Sequence, residues 1–394
     1  MSDPMNLHLN EEQVALLDDC TALAQETLAP IASAGPDGRV NPDLLAVIAA
    51  AGLFDRLYTP EDGGWSARVS ALDLCLIREG LAGGCTEAET AFAVQGLGSF
   101  PILQSGQPEI IGPWISRLAS GQIAAGFALT EPEAGSDVAA MSLEARRDGD
   151  GFRLTGEKVW ISNAPDAAVY SVFARTTEGA GARGLTAFMV PSDTEGLRGE
   201  RLKLVSPHPI GRLIFEDAFI PAEYVVGEVD RGFAVAMRTL DLFRPSVGAF
   251  AIGMARAALD ATVLYVAQRE AFGRPLKEFQ AISHRIADIE TRVCAARLLV
   301  HQSARAYDLG LRPVSHMAAM AKLMATELAQ EAVDAGVQFH GGRALEHGHL
   351  LEHLYREVRA PRIYEGASEI QREIIARHLF KTSAEKTSPM VAQG

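Results

Sequence analysis

The segment IYEGASEIQRE, residues 363–373, places the carboxylate of Glu365 between a tyrosine and a glycine, directly before a predicted helix. Most glutamates lie on solvated helix faces. A Tyr-Glu-Gly corner differs from these, because glycine permits backbone angles that other residues avoid. A carboxylate on such a tight, partly apolar corner can be directed at a bound molecule, so Glu365 is the first candidate for chemistry.

Two stretches in the middle of the chain place hydroxyl groups beside small or aromatic residues. FALTEPEAGSD, residues 127–137, carries Thr130 and Ser136, and its small residues would let a planar or phosphorylated ligand approach the backbone. GEKVWISNA, residues 156–164, places Trp160 and Ser162 on one strand face, where they could flank an aromatic ring system. Taken alone, the first stretch is better explained as an ordinary turn. The second is equally well explained by a half-buried tryptophan with a structural serine.

A third stretch, REAFGRPLKEFQ at residues 269–280, combines Arg269 with Gln280. Arginine suits bidentate contact with phosphate, and the amide could bind a polar ring edge. The alternative is a helix end stopped by Gly273 and Pro275, with Arg269 favourable at the negative helix terminus.

A fourth stretch, QFHGGRALEHGHLLEHLYRE at residues 338–357, contains a His-Gly-Gly corner and several histidines. His349 and His353 are four residues apart, with His347 nearby, a spacing that raises the possibility of a metal. Histidines in a helical, acidic setting are more often surface or capping residues, and no further ligand set is evident. We therefore predict no metal.

The composition limits the class of protein. The chain has 394 residues, 48% of them hydrophobic, with a net charge of −14, which argues against nucleic acid or an anionic membrane surface as the main partner. The four cysteines are scattered without CxxC spacing and predict reduced thiols in a cytoplasmic protein: Cys20, Cys75, Cys85 and Cys294. The sequence shows no signal-peptide pattern at MSDPMNLHLN and no long apolar run, so we expect no membrane span.

Three regions follow one another along the chain. Residues 1–122 have helical patterns, including a capping box at Asn10 and a helix start at Asn41-Pro42. Residues 123–227 contain short strand-like runs and a DGDG hairpin signal at 148–151, and predict a β domain. Residues 228–382 are helical again, with a heptad-like seam suited to a bundle, and residues 383–394 are predicted to form a loose tail. Pro245 should kink a long helix or mark its true start.

Together, the four stretches in this order closely resemble the acyl-CoA dehydrogenase family, over about residues 8 to 381. ALTEPEAGSD and the run from QFHGG to YEGASEIQR carry the resemblance most specifically, with WIS and RxxFG between them. The resemblance implies an α+β fold with an N-terminal helical domain, a middle β domain and a C-terminal four-helix bundle. It also implies bound FAD, an acyl-CoA substrate, electron-transfer flavoprotein as acceptor, and a homotetramer in which two subunits hold each FAD.

The resemblance assigns roles to individual residues. It implies that the flavin is lined by residues of the β domain, with Ser136 also touching the acyl-CoA: Phe127, Leu129, Thr130, Ser136, Trp160 and Ser162. It implies that the FAD diphosphate and adenosine are held by residues of the helical region, several of them from the neighbouring subunit: Arg269, Phe272, Gln280, Gln338, Gly341 and Gly342. Ala367 and Glu369 match further cofactor positions. The substrate side would be formed by Asp241, Arg244, Tyr364 and Gly366, with Ser136.

Glu365 matches the catalytic base of the family. The resemblance implies that it removes the α-proton of an acyl thioester while the β-hydrogen leaves as hydride to flavin N5, giving the trans-2-enoyl product. Its backbone N–H would help to hold the thioester carbonyl, and burial should raise its pKa towards neutrality. Some family members place the base before the matching arginine, where this chain has Phe243, so the sequence favours Glu365.

Three departures from the family pattern bear on the site. Ala367 stands where the family usually has threonine. Ala344 and Leu345 stand where a Gly-Tyr pair is common. The segment SPHPIGRLIFED is shorter and richer in proline than the common form.

Other functions remain open at this stage. One is a biosynthetic dehydrogenase, reductase or oxidase acting on a carrier-protein thioester. Another is a non-catalytic flavin-binding relative, against which the intact Glu365, Trp160 and Arg269 argue. A flavin monooxygenase relative is disfavoured, because such a protein would not need this glutamate. The sequence does not reveal the length or branching of the acyl chain.

Overall fold

The computed structural model describes residue 6, residues 8–61 and residues 64–391. In this part of the chain the helices are α1 Glu11–Leu23, α2 Ala29–Ala34, α3 Pro42–Ala50, α4 Ala71–Ala82, α5 Thr86–Ser105, α6 Pro108–Ala119, α7 Gly232–Gln268, α8 Gln280–Asp308, α9 Ser315–His340, α10 Leu350–Glu357 and α11 Ser368–Val391. The strands are β1 Thr59–Glu61, β2 Gly64–Ser66, β3 Ala125–Ala128, β4 Glu144–Asp148, β5 Gly151–Ser162, β6 Val169–Arg175, β7 Leu185–Pro191, β8 Leu197–Arg201, β9 Ile210–Pro221, β10 Val225–Val226, β11 Glu270–Ala271 and β12 Arg274–Pro275.

The chain divides into two compact units. The sheet unit comprises residues 22–70 and 85–240, and the helical unit comprises residues 1–21, 71–84 and 241–394. The helical unit therefore includes α4, which precedes the β region in sequence. The predicted domain boundaries after residues 122 and 227 remain a prediction.

In the sheet unit, eight strands form one sheet in the order β10-β7-β6-β4-β5-β9-β8, with β3 paired in parallel to β6. The inner strands β6 and β7 are buried along almost their whole length, because side chains on both of their faces are covered. Helix α5 packs against β3 and β6. Gly98 of α5 permits this close packing, since a Cβ there would lie 2.7 Å from the backbone nitrogen of Gly126 in β3.

In the helical unit, α9 is the central helix, packing against α8, α10 and α11, while α4 packs against α8. The seam of α8 is buried at Ile289, Val293, Ala296 and Val300, as the heptad-like spacing predicts. Gly248 of α7 permits a close approach to Val300, whose side chain would lie 2.8 Å from an added Cβ.

The local sequence signals for helix starts and for a β-hairpin are confirmed. Asn10 and Gln13 form the reciprocal capping box, with Gln13 N donating to Asn10 Oδ1 at 2.8 Å and Asn10 N donating to Gln13 Oε1 at 3.1 Å. The Asn41 side chain caps α3, whose first residue is Pro42. The DGDG sequence joins β4 to β5 as an antiparallel hairpin. The fold class is therefore the α+β class that was predicted.

Two expectations differ from the structure. Helix α7 runs through Pro245 from residue 232 to 268, so Pro245 does not mark its start; burial of Val235, Leu240 and Phe243 before the proline offsets the lost backbone bond. Residues 383–391, expected to form a loose tail, continue α11, in keeping with the helix-forming SAEK sequence there, while residues 392–394 lie outside the described residues. By length and composition α7 could also cross a membrane, but 67% of its most apolar stretch is buried inside the protein, as in a core helix.

Gln95 of α5 offers a test of the sheet unit. Its buried amide donates to the carbonyls of Leu118 and Ile123 at 2.9 and 2.8 Å and accepts from Ala125 N at 3.0 Å. We expect Gln95→Leu to lower the free energy of unfolding by about 2–4 kcal/mol, because three backbone groups lose their partner. Urea unfolding with cofactor held in excess measures this. Gln104→Leu, which removes one part-buried bond of 3.3 Å to Thr239, is the control and should cost less than about 1 kcal/mol. Equal losses in the two variants would contradict the assignment.

Candidate functional site

Glu365 and Gly366 form a left-handed corner before α11. Their φ angles are +52° and +92°, the first being unusual for a residue with a side chain. Gly366 is required there, since an added Cβ would lie 2.5 Å from Nε2 of Gln371. A non-glycine residue in this conformation costs of order 1–3 kcal/mol and persists only when neighbouring contacts hold it. The corner therefore fixes the direction of the Glu365 side chain.

Three side chains of the helical unit hold this corner through its carbonyl groups. Gln371 Nε2 donates to Glu365 O at 3.2 Å and to Gly366 O at 2.7 Å. Lys322 Nζ donates to Gly366 O at 2.7 Å, and Arg244 Nε lies 3.4 Å from Glu365 O. The strained backbone is thus compensated by hydrogen bonds from α7, α9 and α11.

The Glu365 carboxylate is a buried acceptor amid positive charge. The residue is partly exposed, but its Oε2 atom is buried and has no hydrogen-bond partner among the residues that the structure describes. Burial raises the pKa of Glu365, and the cations Arg78, Arg244 and Lys322 oppose this rise. A buried carboxylate atom without a protein partner is available to a bound molecule.

Arg244 lies beside the corner, and Asp241 contacts Arg244. Arg244 is buried, and its Nη1 lies 3.7 Å from Asp241 Oδ1, which also accepts from Ser315 Oγ at 3.0 Å. The helical unit therefore brings Asp241, Arg244, Tyr364, Glu365 and Gly366 together. Ala367 and Glu369 follow directly, with Glu369 exposed.

In the sheet unit, a buried ion pair joins the two polar stretches. Lys158 Nζ donates to Glu131 Oε1 at 2.8 Å and to Leu129 O at 2.9 Å, so GEKVWIS is attached to ALTEP. Burial alone would raise the pKa of Glu131. The Lys158 ammonium and the backbone donors favour the ionised form more strongly, so the pKa of Glu131 lies below its usual value. Burial lowers the pKa of Lys158 to about 8, against the attraction of Glu131.

Trp160 and Ser162 lie at an irregularity of β5. The register with β9 shifts between Lys158 and Ile161, and Trp160 has a φ of +56°. This turns the indole outward, leaving it 51% exposed. Ser162 Oγ lies 3.1 Å from Nε2 of His208, and burial lowers the pKa of that histidine to about 4. Thr130 is fixed nearby, since its carbonyl accepts from Val159 N at 3.0 Å.

The remaining residues of the FALTEPEAGSD stretch differ in their exposure. Leu129 is buried and Phe127 is partly buried, packing its ring 5.1 Å from that of Phe173. Ser136 is exposed. The stretch thus has a packed beginning and an open end.

The residues expected at the diphosphate and adenosine lie on the surface of the helical unit, and all six are exposed: Arg269, Phe272, Gln280, Gln338, Gly341 and Gly342. Phe272 occupies the turn between β11 and β12 with a φ of +53° and is 96% exposed. Gly341 and Gly342 have open space around their Cα atoms. These residues are available for contact with a molecule outside this chain.

The histidine stretch has local structural roles. His349 caps α10, with Nδ1 accepting from Leu351 N at 3.1 Å, and His347 lies 3.3 Å from Glu352 on the surface. Within residues 6, 8–61 and 64–391, no group of three or more candidate ligands has the geometry of a metal site. The capping contact therefore accounts for His349.

The sequence did not identify several residues around the Glu365 corner and around the segments of Thr130 and Trp160: Arg78, Lys322, Gln371, Glu131, Lys158 and His208. A signal existed for two of them. Arg78 occupies the apolar side of α4 with Leu74 and Leu81, and Lys322 occupies the alanine face of α9 with Ala318 and Ala325. A cation at a core-facing helical position is rare unless it is paired.

Comparison with known proteins identifies the family. Its models match three consecutive parts of the chain: acyl-CoA dehydrogenase, N-terminal domain, at residues 10–122, middle domain at 126–218 and C-terminal domain at 230–380. The chain belongs to the acyl-CoA dehydrogenase family, whose members are FAD-dependent oxidoreductases.

Individual relatives agree along nearly the whole length. Cyclohexane-1-carbonyl-CoA dehydrogenase of Geobacter metallireducens is 33% identical over 379 residues, covering 95% of this chain and 99% of that protein. The structure of butyryl-CoA dehydrogenase from Megasphaera elsdenii is similar with a TM-score of 0.87 and 31% identity, covering 94% and 99% of the two chains. A chain in a structure described as the electron transferring flavoprotein of Acidaminococcus fermentans has a TM-score of 0.88 and 32% identity, covering 95% and 99%.

The Lys158–Glu131 pair yields a prediction on stability. Lys158→Met leaves a buried carboxylate without its cation, and we expect it to lower the free energy of unfolding by about 3–5 kcal/mol. Adding Glu131→Gln removes the uncompensated charge and keeps one acceptor oxygen for one of the two backbone donors, Ser142 N or Leu143 N, so the double variant should recover part of the loss. Urea unfolding of the two variants at one pH tests this. A double variant no more stable than Lys158→Met would contradict a role for charge.

Proposed function

We propose that this protein dehydrogenates an acyl-CoA thioester between its α and β carbons, with Glu365 as the base that removes the α-proton. One observation carries the proposal. The Oε2 atom of Glu365 is buried and has no partner in the described part of the chain, on a backbone corner that three side chains hold in a strained conformation. Such strain is typical of functional positions.

The residues present fit an FAD cofactor. The exposed indole of Trp160 offers an aromatic face, and the hydroxyls of Thr130 and Ser162 offer hydrogen bonds beside it. On the helical unit, Arg269 and the unobstructed Gly341 and Gly342 suit a diphosphate. When bound, FAD supplies the acceptor for the β-hydrogen and its electron pair.

The chain itself performs the proton transfer and its preparation. Glu365 accepts the α-proton on its carboxylate, which must be ionised beforehand. Its backbone N–H donates to the thioester carbonyl and stabilises the charge that develops there. Arg244 and Gln371 fix the backbone of the base, so that it needs little reorganisation during the reaction.

Relatives suggest the class of acyl group and the partners. The names of two similar proteins specify cyclohexane-1-carbonyl-CoA and butyryl-CoA, so we propose a short or alicyclic acyl group. We propose electron-transfer flavoprotein as the electron acceptor, and a cytoplasmic homotetramer. The 96% exposure of the Phe272 ring supports a subunit contact at the turn between β11 and β12.

Replacing the base tests the proposal. We expect Glu365→Gln to slow flavin reduction by acyl-CoA at least about 10³-fold, because the amide cannot accept a proton. Anaerobic stopped-flow absorbance measures the rate, and the flavin content should stay near that of the unchanged protein. Glu373→Gln, an exposed glutamate on α11 paired with Arg377, is the matched control and should keep the normal rate. Near-normal reduction in Glu365→Gln would exclude Glu365 as the base.

The pH dependence provides a second test. Burial raises the pKa of Glu365, so protonation should remove the active carboxylate at a pH above the ordinary glutamate value of about 4.3. The rate of flavin reduction should therefore be full at higher pH and fall as pH decreases through this raised pKa. Single-turnover rates between about pH 5 and 9 record the profile. A substrate whose reduction rate accelerates as pH falls would contradict an ionised carboxylate base.

A further inference from the structure

We propose that Lys322 is the positioning residue of the base: it fixes the Glu365-Gly366 corner from α9 and helps to keep the Glu365 carboxylate ionised. The inference rests on the proposed function, because it assumes that Glu365 is the base. It concerns a residue that does not touch the reacting atoms.

The contact between Lys322 and the corner is direct, and its lysine side is buried. The Lys322 side chain has no exposed surface, and its Nζ donates to Gly366 O at 2.7 Å. Gln371 Nε2 donates to the same oxygen at 2.7 Å. A carbonyl oxygen has two lone pairs, so these donors fill its capacity. The peptide that follows Glu365 is therefore fixed by two side chains from different helices.

Helix α9 also fixes the segment around the corner. Glu327 accepts from Ser368 Oγ at 2.6 Å and lies 2.8 Å from Nη2 of Arg362. Lys322 and Glu327 thus bind the segment 362–368 at three points. A single helix sets where the base stands relative to the core of the helical unit.

A buried lysine needs an electrostatic reason, because removing an ammonium group from water costs several kcal/mol. An apolar residue would pack on the alanine face of α9 without that cost. The charged groups that act on Lys322 include Glu365, Glu327 and Glu369, and the cation Arg244. The carboxylates favour the charged form of Lys322, and its charge in turn favours the ionised form of Glu365.

The charge of Lys322 and that of Glu365 influence each other. Burial lowers the pKa of Lys322 to about 8, while burial raises that of Glu365. Below a pH of about 8 Lys322 is protonated, and its charge then opposes the rise in the pKa of Glu365. Arg78 on α4 and Arg244 act on Glu365 in the same sense as Lys322. Lys322 alone among the three cations both carries the charge and holds the Gly366 carbonyl.

Two variants separate the charge from the hydrogen bond. Lys322→Met removes both, and Lys322→Gln removes the charge while keeping a donor for Gly366 O. The acid limb is the low-pH part of the profile, where the rate of flavin reduction falls. In both variants we expect it to move to higher pH by about one unit, since a nearby cation lowers a carboxyl pKa by this order. At the high-pH plateau, Lys322→Gln should react faster than Lys322→Met, because its corner is still held.

Thr326→Val is the matched control. Thr326 is fully buried one turn further along α9, and its hydroxyl donates to Lys322 O at 2.9 Å. This change perturbs the helix without altering charge, so it should lower the melting temperature without moving the acid limb.

The outcomes distinguish the inference from the function on which it rests. If the unchanged protein reduces its flavin with acyl-CoA and both Lys322 variants keep the normal acid limb, the inference is wrong and the function stands. If no acyl-CoA reduces the flavin of the unchanged protein, the proposed function fails instead. Should Lys322→Met not fold, Lys322→Gln alone decides the question through the position of its acid limb.

Discussion

In the proposed reaction a buried carboxylate must stay ionised, and the contacts around Glu365 depend on this constraint. Burial favours the protonated form of Glu365, and a protonated carboxyl group cannot accept an α-proton. The protein compensates with three cations, Arg78, Arg244 and Lys322, from three different helices. The cost of burying those cations is in turn met by the carboxylates and carbonyls around them.

The arrangement of the helical unit follows from that constraint. Helix α4 belongs to this unit although it lies far from the remainder in sequence, and it carries Arg78, whose Nη1 donates to Ser246 Oγ of α7 at 2.7 Å. The next residue, Glu79, contacts Arg297 and His301 of α8 at 2.5 and 3.1 Å. Consecutive charged residues on α4 thus face the base and the bundle. These polar contacts join α4 to α7 and α8.

Features that depend on neighbouring residues were predictable from sequence, whereas features that depend on distant partners were not. The caps at Asn10 and Asn41 and the DGDG hairpin each involve a few adjacent residues, so their patterns specify them. The corner at Glu365 was also predictable, because glycine marks it. Lys322 was missed, since its partner Gly366 lies 44 residues further along the chain. Helix α7 continues through Pro245, because burial of the residues that precede it offsets the loss of one helical backbone hydrogen bond.

An anaerobic titration of the purified flavoprotein with a panel of acyl-CoAs, followed by absorbance and mass spectrometry, tests the account most directly. The account predicts that one class of acyl group bleaches the flavin band. It also predicts one equivalent of thioester product lacking two hydrogen atoms for each flavin reduced. A flavin band that no acyl-CoA bleaches, or bleaching without that product, would contradict it.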